Sequence, residues 1–158
     1  MTKTVFCIIF LFLLQVTAFP QATGRIDTIR VKEIVSDFTR LAYTKADKDS
    51  LIGLMGFPLY IHEGKAKRIF NSAADLRKEL QKKYKNEKFS PVEYYIDSIS
   101  GPAFCRLPEL KTKTCICLTA HLVLPHTGQD PKGMILATTF YLERKPPYKV
   151  IGTSNQYN

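Results

Sequence analysis

The chain has 158 residues, of which 45% are hydrophobic, and its formal net charge is +9. This length fits one domain and excludes a large multidomain architecture. A basic surface favours acidic partners. However, the cationic run from Arg77 to Lys88 does not form an aromatic-interleaved nucleic-acid motif. We therefore interpret it as a solvated helix face and do not expect nucleic acid to bind.

The first residues have the layout of a secretory signal peptide. Lys3 precedes an unbroken apolar run from Val5 to Leu14, and Ala18 ends a cleavage site of small residues. Cleavage after Ala22 is the second option. A retained membrane anchor is the alternative, although the run is shorter than the roughly 20 apolar residues that span a bilayer. We expect removal of residues 1–18, or 1–22, and a secreted or periplasmic protein without a membrane span.

The segment after the signal predicts helices around a short hairpin. Apolar residues recur at helical spacing from Ile26 to about Tyr43, which predicts an amphipathic helix. A short helix over Asp49–Met55 is followed by strands over Phe57–Ile61 and Lys67–Phe70. Ser72 begins a further helix with a capping-box-like pattern, because Asp75 stands three residues later.

The second half of the chain is rich in predicted strands. The candidates are Val92–Ser100, Thr114–Leu124, Met134–Glu143 and Tyr148–Thr153. Helices followed by a long antiparallel sheet indicate an α+β fold, in which the helices pack against one face of the sheet.

Three cysteines remain after the predicted signal: Cys105, Cys115 and Cys117. The segment between them has the features of a hairpin loop, so a disulfide from Cys105 to either Cys115 or Cys117 is reasonable in an oxidising compartment. Cys115 and Cys117 point the same way along a strand and do not easily bond to each other. Three buried thiols are the alternative. We expect no metal site, because the Cys-x-x-Cys spacing is absent.

The order of these elements resembles the NTF2-like superfamily, also called cystatin-like or SnoaL-like, and in particular its uncharacterised secreted bacterial members. The resemblance is carried by Ala46–Leu51, Phe57–Ile61 and Ser72–Arg77, and it covers residues 26–153. It implies a cone in which N-terminal helices pack on a curved antiparallel sheet around a pocket. Members include ketosteroid-isomerase-like and dehydratase enzymes as well as binding domains without catalysis, so the fold does not choose between them.

Strand alternation predicts which side chains would line such a pocket. On Thr114–Leu124 the even positions are all apolar, from Ile116 to Leu124, and we expect this face to pack on the helices. The same alternation puts Tyr94, Ser98 and Thr138 on the helix-facing side. The titratable residues of the strands are expected on the outer face, and they are Glu93, Asp97, His121 and Glu143.

This distribution favours binding over proton transfer, because an acid–base catalyst needs a titratable group inside the pocket. We expect a non-enzymatic domain without a cofactor. Its expected partner is a small apolar ligand or an envelope protein, and a homodimer is a further possible assembly. The predicted ligand-binding residues are Tyr60, Tyr94, Leu118, Thr138 and Phe140. The alternative is an isomerase or dehydratase that uses His62, Asp97 or His121 as its acid or base.

Overall fold

A computed structural model of the chain describes residues 25–44, 47–83, 93–111, 113–124 and 134–157. The described helices are α1 (Thr28–Thr44), α2 (Lys48–Gly53) and α3 (Ala73–Lys83), with a 3-10 helix, η1, at Pro108–Leu110. The described strands are β1 (Met55–Glu63), β2 (Ala66–Phe70), β3 (Tyr95–Ile99), β4 (Ala103–Leu107), β5 (Lys113–Leu124), β6 (Met134–Leu142) and β7 (Val150–Tyr157). The predicted signal peptide and Val92 lie outside the described residues.

The three predicted helices are present, although the second ends at Gly53 and Met55 already belongs to β1. The first turns of α2 and α3 are capped by an acidic and a hydroxyl side chain. The Asp47 carboxylate accepts a hydrogen bond from the Ser50 backbone N–H at 3.0 Å. The Ser72 hydroxyl accepts one from the Asp75 N–H at 3.2 Å. Each cap satisfies a backbone donor that has no partner inside its helix, which fixes where the helix begins. None of the described helices is long and apolar enough to cross a membrane.

The strands form one curved, unclosed sheet in the order β2-β1-β7-β6-β5-β3, and β4 also pairs with β5. The sheet is mixed, because β1 and β7 run parallel while the other pairs are antiparallel. The prediction of a wholly antiparallel sheet is therefore wrong for the β1–β7 pair. The β1–β7 pair brings the first of the described strands beside the last one.

The strand predictions need correction in several places. The strand predicted over Val92–Ser100 is Tyr95–Ile99, and the one predicted to end at Glu143 ends at Leu142. β4 (Ala103–Leu107) was not predicted, since it is only five residues long and stands between Pro102 and Pro108. The last strand starts at Val150 instead of Tyr148. Tyr148 has a φ of 55°, a left-handed conformation that cannot continue a strand.

The main core lies between the helices and one face of the sheet, as the alternation on β5 predicts. Ile116, Leu118, Ala120 and Leu122 are at most 2% exposed and belong to this core. Each helix contributes apolar residues from the side that faces the sheet. Among them are Val31, Val35, Phe38, Ile52 and Leu76. The Phe38 ring meets the Phe140 ring edge-on, with 5.6 Å between centroids, a favourable geometry for an aromatic pair.

Candidate functional site

Three of the predicted ligand-binding residues are brought together on the helix-facing side of the sheet. Leu118 pairs with Phe140, and Thr138 lies two residues before Phe140 on the same face of β6. Leu118 and Phe140 are each 2% exposed and Thr138 is 5% exposed. The Thr138 hydroxyl donates to the Asn155 side-chain oxygen at 3.0 Å, which satisfies its buried donor. These side chains fill the core and leave almost no surface accessible to water.

Tyr94 lies at the edge of this core. Its ring is half-buried and tilted against the Tyr43 ring, with 5.4 Å between centroids. Burial raises the pKa of the Tyr94 hydroxyl, and the nearby Arg40 charge opposes that rise. Tyr94 is therefore a neutral hydroxyl at neutral pH, available as a hydrogen-bond donor.

Tyr60 does not join the other predicted ligand-binding residues, because it lies on the opposite face of the sheet. Its neighbours Leu59 and Ile61 pack into the main core, so alternation turns Tyr60 outward. There it is 3% exposed and belongs to a second cluster with Leu107, Leu110, Cys115 and Ile151. We call this cluster the outer core. Sequence reasoning missed it because that face of the sheet was expected to be solvated throughout.

A buried hydroxyl and an acid meet at the margin of the outer core. The Tyr60 hydroxyl donates to the Glu109 carboxylate at 3.2 Å, and the Lys67 ammonium lies 3.6 Å from the same oxygen. Burial and the Glu109 charge raise the pKa of Tyr60 to about 12. The pKa of Glu109 is lowered, chiefly by a hydrogen bond from its own backbone N–H and further by Tyr60 and Lys67. Tyr60 is consequently held protonated and Glu109 ionised, which is the state that their hydrogen bond needs.

The three candidate acid–base residues also lie away from the helices. His62 Nδ1 is 3.1 Å from the Ser154 hydroxyl, on the same face as Tyr60. His121 Nδ1 is 3.0 Å from the Ser98 hydroxyl, and both residues are exposed. Asp97 is exposed and stands at a register shift of β3.

The register shift between Ile96 and Ser98 corrects the predicted side for Ser98. Ile96 pairs with Leu122 on the core side, but Ser98 pairs with His121 on the outer side. An extra residue in one strand shifts the alternation by one, so every side chain beyond it changes face. Ser98 was therefore wrongly expected on the helix-facing side.

A cavity of about 250 Å³ lies where the starts of β1, β5 and β7 meet the end of β6. Its walls are mostly apolar, with Thr114, Glu143 and Arg144 as the polar contributors. The apolar lining residues are Phe57, Pro58, Leu110 and Ile151. The Arg144 guanidinium is also held over the Phe104 ring, 5.0 Å from its centroid. The lining comes from segments far apart in the chain, so no sequence pattern indicated it.

Gly56 stands directly behind this cavity. A Cβ atom at position 56 would lie 2.9 Å from Ile151 Cγ2 and 3.1 Å from Glu143 Oε1. Both of these residues line the cavity. A glycine here lets them keep their positions, because any side chain would push them toward the open space.

Known structures match this architecture although their sequences are distant. One is a proposed ketosteroid isomerase from Parabacteroides distasonis, with a TM-score of 0.52 and 16% identity, covering 87% of this chain and 92% of that one. Another, from Catenulispora acidiphila, has a TM-score of 0.52 and 10% identity, covering 82% and 89%. An NTF2-like protein of unknown function from Methylobacillus flagellatus has a TM-score of 0.44 and 9% identity, covering 84% and 92%.

The chain has the NTF2-like fold. No protein-family model matches its sequence, and no curated protein does. Similarity at this level of identity shows the architecture alone, because the same fold carries unrelated functions. What this NTF2-like domain does must therefore be argued from its own residues. Within the described ranges no three His, Cys, Asp or Glu side chains are grouped to hold a metal ion.

Proposed function

We propose that this protein is an exported, non-enzymatic binding domain that takes a small apolar ligand. The observation that carries the proposal is the apolar cavity of about 250 Å³ walled by Phe57, Pro58, Leu110 and Ile151. Ligand sites combine apolar walls with a few polar groups that orient the ligand. Here Arg144 and Glu143 would supply those groups, so the ligand expected is apolar in its body and polar at one end.

The proposal is supported by the positions of the acid–base candidates. His62, Asp97 and His121 belong neither to the main core nor to the lining of the cavity. A general acid or base must come within hydrogen-bond reach of the proton that it moves. None of these three side chains lines the cavity, so none is placed to reach a ligand held there.

The helix-facing set of Tyr94, Leu118, Thr138 and Phe140 is the second place for a ligand. Binding there would require α1 to move, because Phe38 of α1 packs against Phe140. Displacing packed side chains is costly, since protein interiors are close-packed. The cavity at the end of the sheet demands no such movement and is our first choice.

An isomerase or dehydratase activity is the competing function, and one observation favours it. Glu143 is a half-buried carboxylate that lines the cavity, so it is better placed for proton transfer to a bound ligand than His62, Asp97 or His121. The Glu143→Gln variant separates the two functions. A binding domain keeps its ligand chemically unchanged with either residue, whereas an enzyme loses turnover with glutamine.

Export and docking to an envelope protein, or to a second copy of the chain, belong to the same proposal. Docking is supported by an apolar row that crosses three strands of the outer face. Tyr95 pairs with Val123, which pairs with Ile135, and Tyr95 and Ile135 are 58% and 50% exposed. Sedimentation of the wild type beside the Ile135→Lys variant tests self-association, which the lysine should abolish if the row is the interface.

A thermal-shift screen of small apolar compounds tests the main proposal, because a ligand that binds the native state raises the melting temperature. The best compound is then measured against two variants. Thr114→Trp places a large ring at the cavity and should weaken binding strongly. Thr119→Trp makes the same change on the outer face of the same strand and should leave binding unchanged. Equal binding by both variants would show that the cavity is not the site.

A further inference from the structure

The three cysteines of the described chain converge on the outer face at β4 and β5. Cys105 and Cys115 are direct partners across the two antiparallel strands, and their Sγ atoms are 3.2 Å apart. Cys117 is the next residue of β5 on that face, and its direct partner is Ala103. Its thiol is within hydrogen-bonding reach of Cys105 as well. Cys105 therefore touches both of the other thiols.

Backbone geometry distinguishes the two neighbours of Cys105. Directly opposite residues of an antiparallel pair have Cα atoms about 4.5–5.5 Å apart, which is within the span of a disulfide. Diagonal residues such as Cys105 and Cys117 are roughly 7–8 Å apart, which exceeds the distance that a disulfide bridges without backbone movement. A disulfide between Cys105 and Cys117 is therefore disfavoured, although their thiols are in contact.

We propose that Cys105 and Cys115 are a cross-strand disulfide site and that Cys117 remains a free thiol. The oxidant is another disulfide, either a small molecule or a thiol–disulfide exchange protein. One S–S bond forms in this chain while the S–S bond of the oxidant breaks. The two thiols lose two electrons and two protons, and the oxidant leaves as two thiols. The proposal extends the export part of the proposed function, because an exported protein meets such oxidants.

Exposure sets the order of the two exchange steps. Cys115 is 0% exposed, whereas Cys105 is partly exposed. The oxidant should therefore form a mixed disulfide with Cys105, and Cys115 should then attack Cys105 Sγ and release the second half of the oxidant. Burial is the main cause of the raised pKa of both thiols. Oxidation should accelerate as the pH rises, since the thiolate is the nucleophile.

The bond would close a loop over the outer core. The segment from Cys105 to Cys115 contains Leu107 and Leu110 of that core, and Glu109, which binds Tyr60. Closing a loop of this length removes conformations from the unfolded chain. Oxidation is expected to raise the melting temperature on the order of 10 °C.

The test compares Cys117→Ser with Cys115→Ser after incubation of each purified protein with oxidised glutathione. Unreacted thiols are alkylated, and intramolecular disulfides are identified by mass spectrometry of the peptides. Cys117→Ser should form the bond as completely as the wild type does, with the same rise in melting temperature. Cys115→Ser should form roughly tenfold less or none. Bond formation by Cys115→Ser but not by Cys117→Ser would overturn the assignment, as would Cys105 and Cys115 thiols that both stay unreacted in the wild type.

A second arm separates this site from the export on which it rests. The thiol state of the protein is measured directly after isolation from its producing cells, with alkylation at the moment of lysis. A bond that forms with glutathione and is also present on isolation supports both proposals. A bond that forms with glutathione but is absent on isolation overturns export and leaves the Cys105–Cys115 site standing.

Discussion

The two faces of the sheet are built differently, although the same strands supply both. The helix-facing side is a continuous apolar layer that includes Leu118, Leu122 and Phe140. On the outer side, apolar residues form a small cluster under η1 and the row of Tyr95, Val123 and Ile135. Hydroxyl and imidazole side chains also pair across strands there, His62 with Ser154 and Ser98 with His121. The fold is therefore stabilised mainly by the core on the helix-facing side of the sheet. The titratable groups of the strands are concentrated on the outer side.

The largest expected effect is in the main core. Phe140→Ala removes a 2% exposed ring that packs on Phe38 and should lower the free energy of unfolding by about 3–5 kcal/mol. Ile135→Ala is the matched control, on the outer side of the same strand and 50% exposed, and should change it by less than about 0.5 kcal/mol. Urea unfolding measures both. Similar losses for the two variants would contradict the difference between the faces.

The outer core should be sensitive to added volume. A Cβ atom at Gly152 would lie 3.2 Å from Leu107, from Tyr141 and from the Tyr60 carbonyl oxygen. Because that oxygen belongs to the neighbouring strand and cannot rotate away, Gly152→Ala should cost about 1–3 kcal/mol. Gly53→Ala is the control, since nothing lies within 4 Å of a Cβ there. A neutral Gly152→Ala in the same unfolding assay would mean that the outer core is loosely packed.

The hydrogen bond from Tyr60 to Glu109 should stabilise the fold in a pH-dependent way. Tyr60→Phe removes a donor to an ionised acceptor and should cost about 1–2 kcal/mol near neutral pH. Because the pKa of Glu109 is lowered in the folded state, its carboxylate stabilises the fold above the ordinary carboxyl pKa. This contribution is lost as the pH falls through the lowered value.

The difference between Tyr60→Phe and the wild type should therefore shrink on acidification, as followed by thermal unfolding across the acid range. Tyr95→Phe supplies the control, because Tyr95 is 58% exposed and its change should be small at every pH. A difference for Tyr60→Phe that stays constant with pH would show that Glu109 is not the partner.

The smallest expected effect is at His121. Its side chain is exposed and bonded to the exposed Ser98, so His121→Ala should change the free energy of unfolding by no more than about 0.5 kcal/mol. If urea unfolding shows a loss of free energy of unfolding above about 2 kcal/mol, His121 is buried in the folded protein, in contradiction to its exposed position in the structure.

The fold was largely predictable, because its longest elements have clear periodicity. The alternation of β5 identified Leu118 and Leu122 as core residues, and the pattern after Ser72 identified α3. Features that depend on tertiary contacts were not predictable. The register shift at Asp97 adds one residue to a strand without changing its composition, and the Tyr60–Glu109 bond joins residues 49 positions apart. The cavity likewise depends on packing between separate segments.

The central claim is that ligand binding in this domain proceeds without proton transfer by the outer-face residues. The most direct measurement incubates the best compound of the thermal-shift screen with the wild type, with the triple variant His62→Ala, Asp97→Ala, His121→Ala, and with Glu143→Gln. NMR then measures both the dissociation constant and any chemical change of the compound. We predict that the triple variant binds as the wild type does and that every protein returns the compound unchanged. Turnover by the wild type that either variant loses would contradict the account.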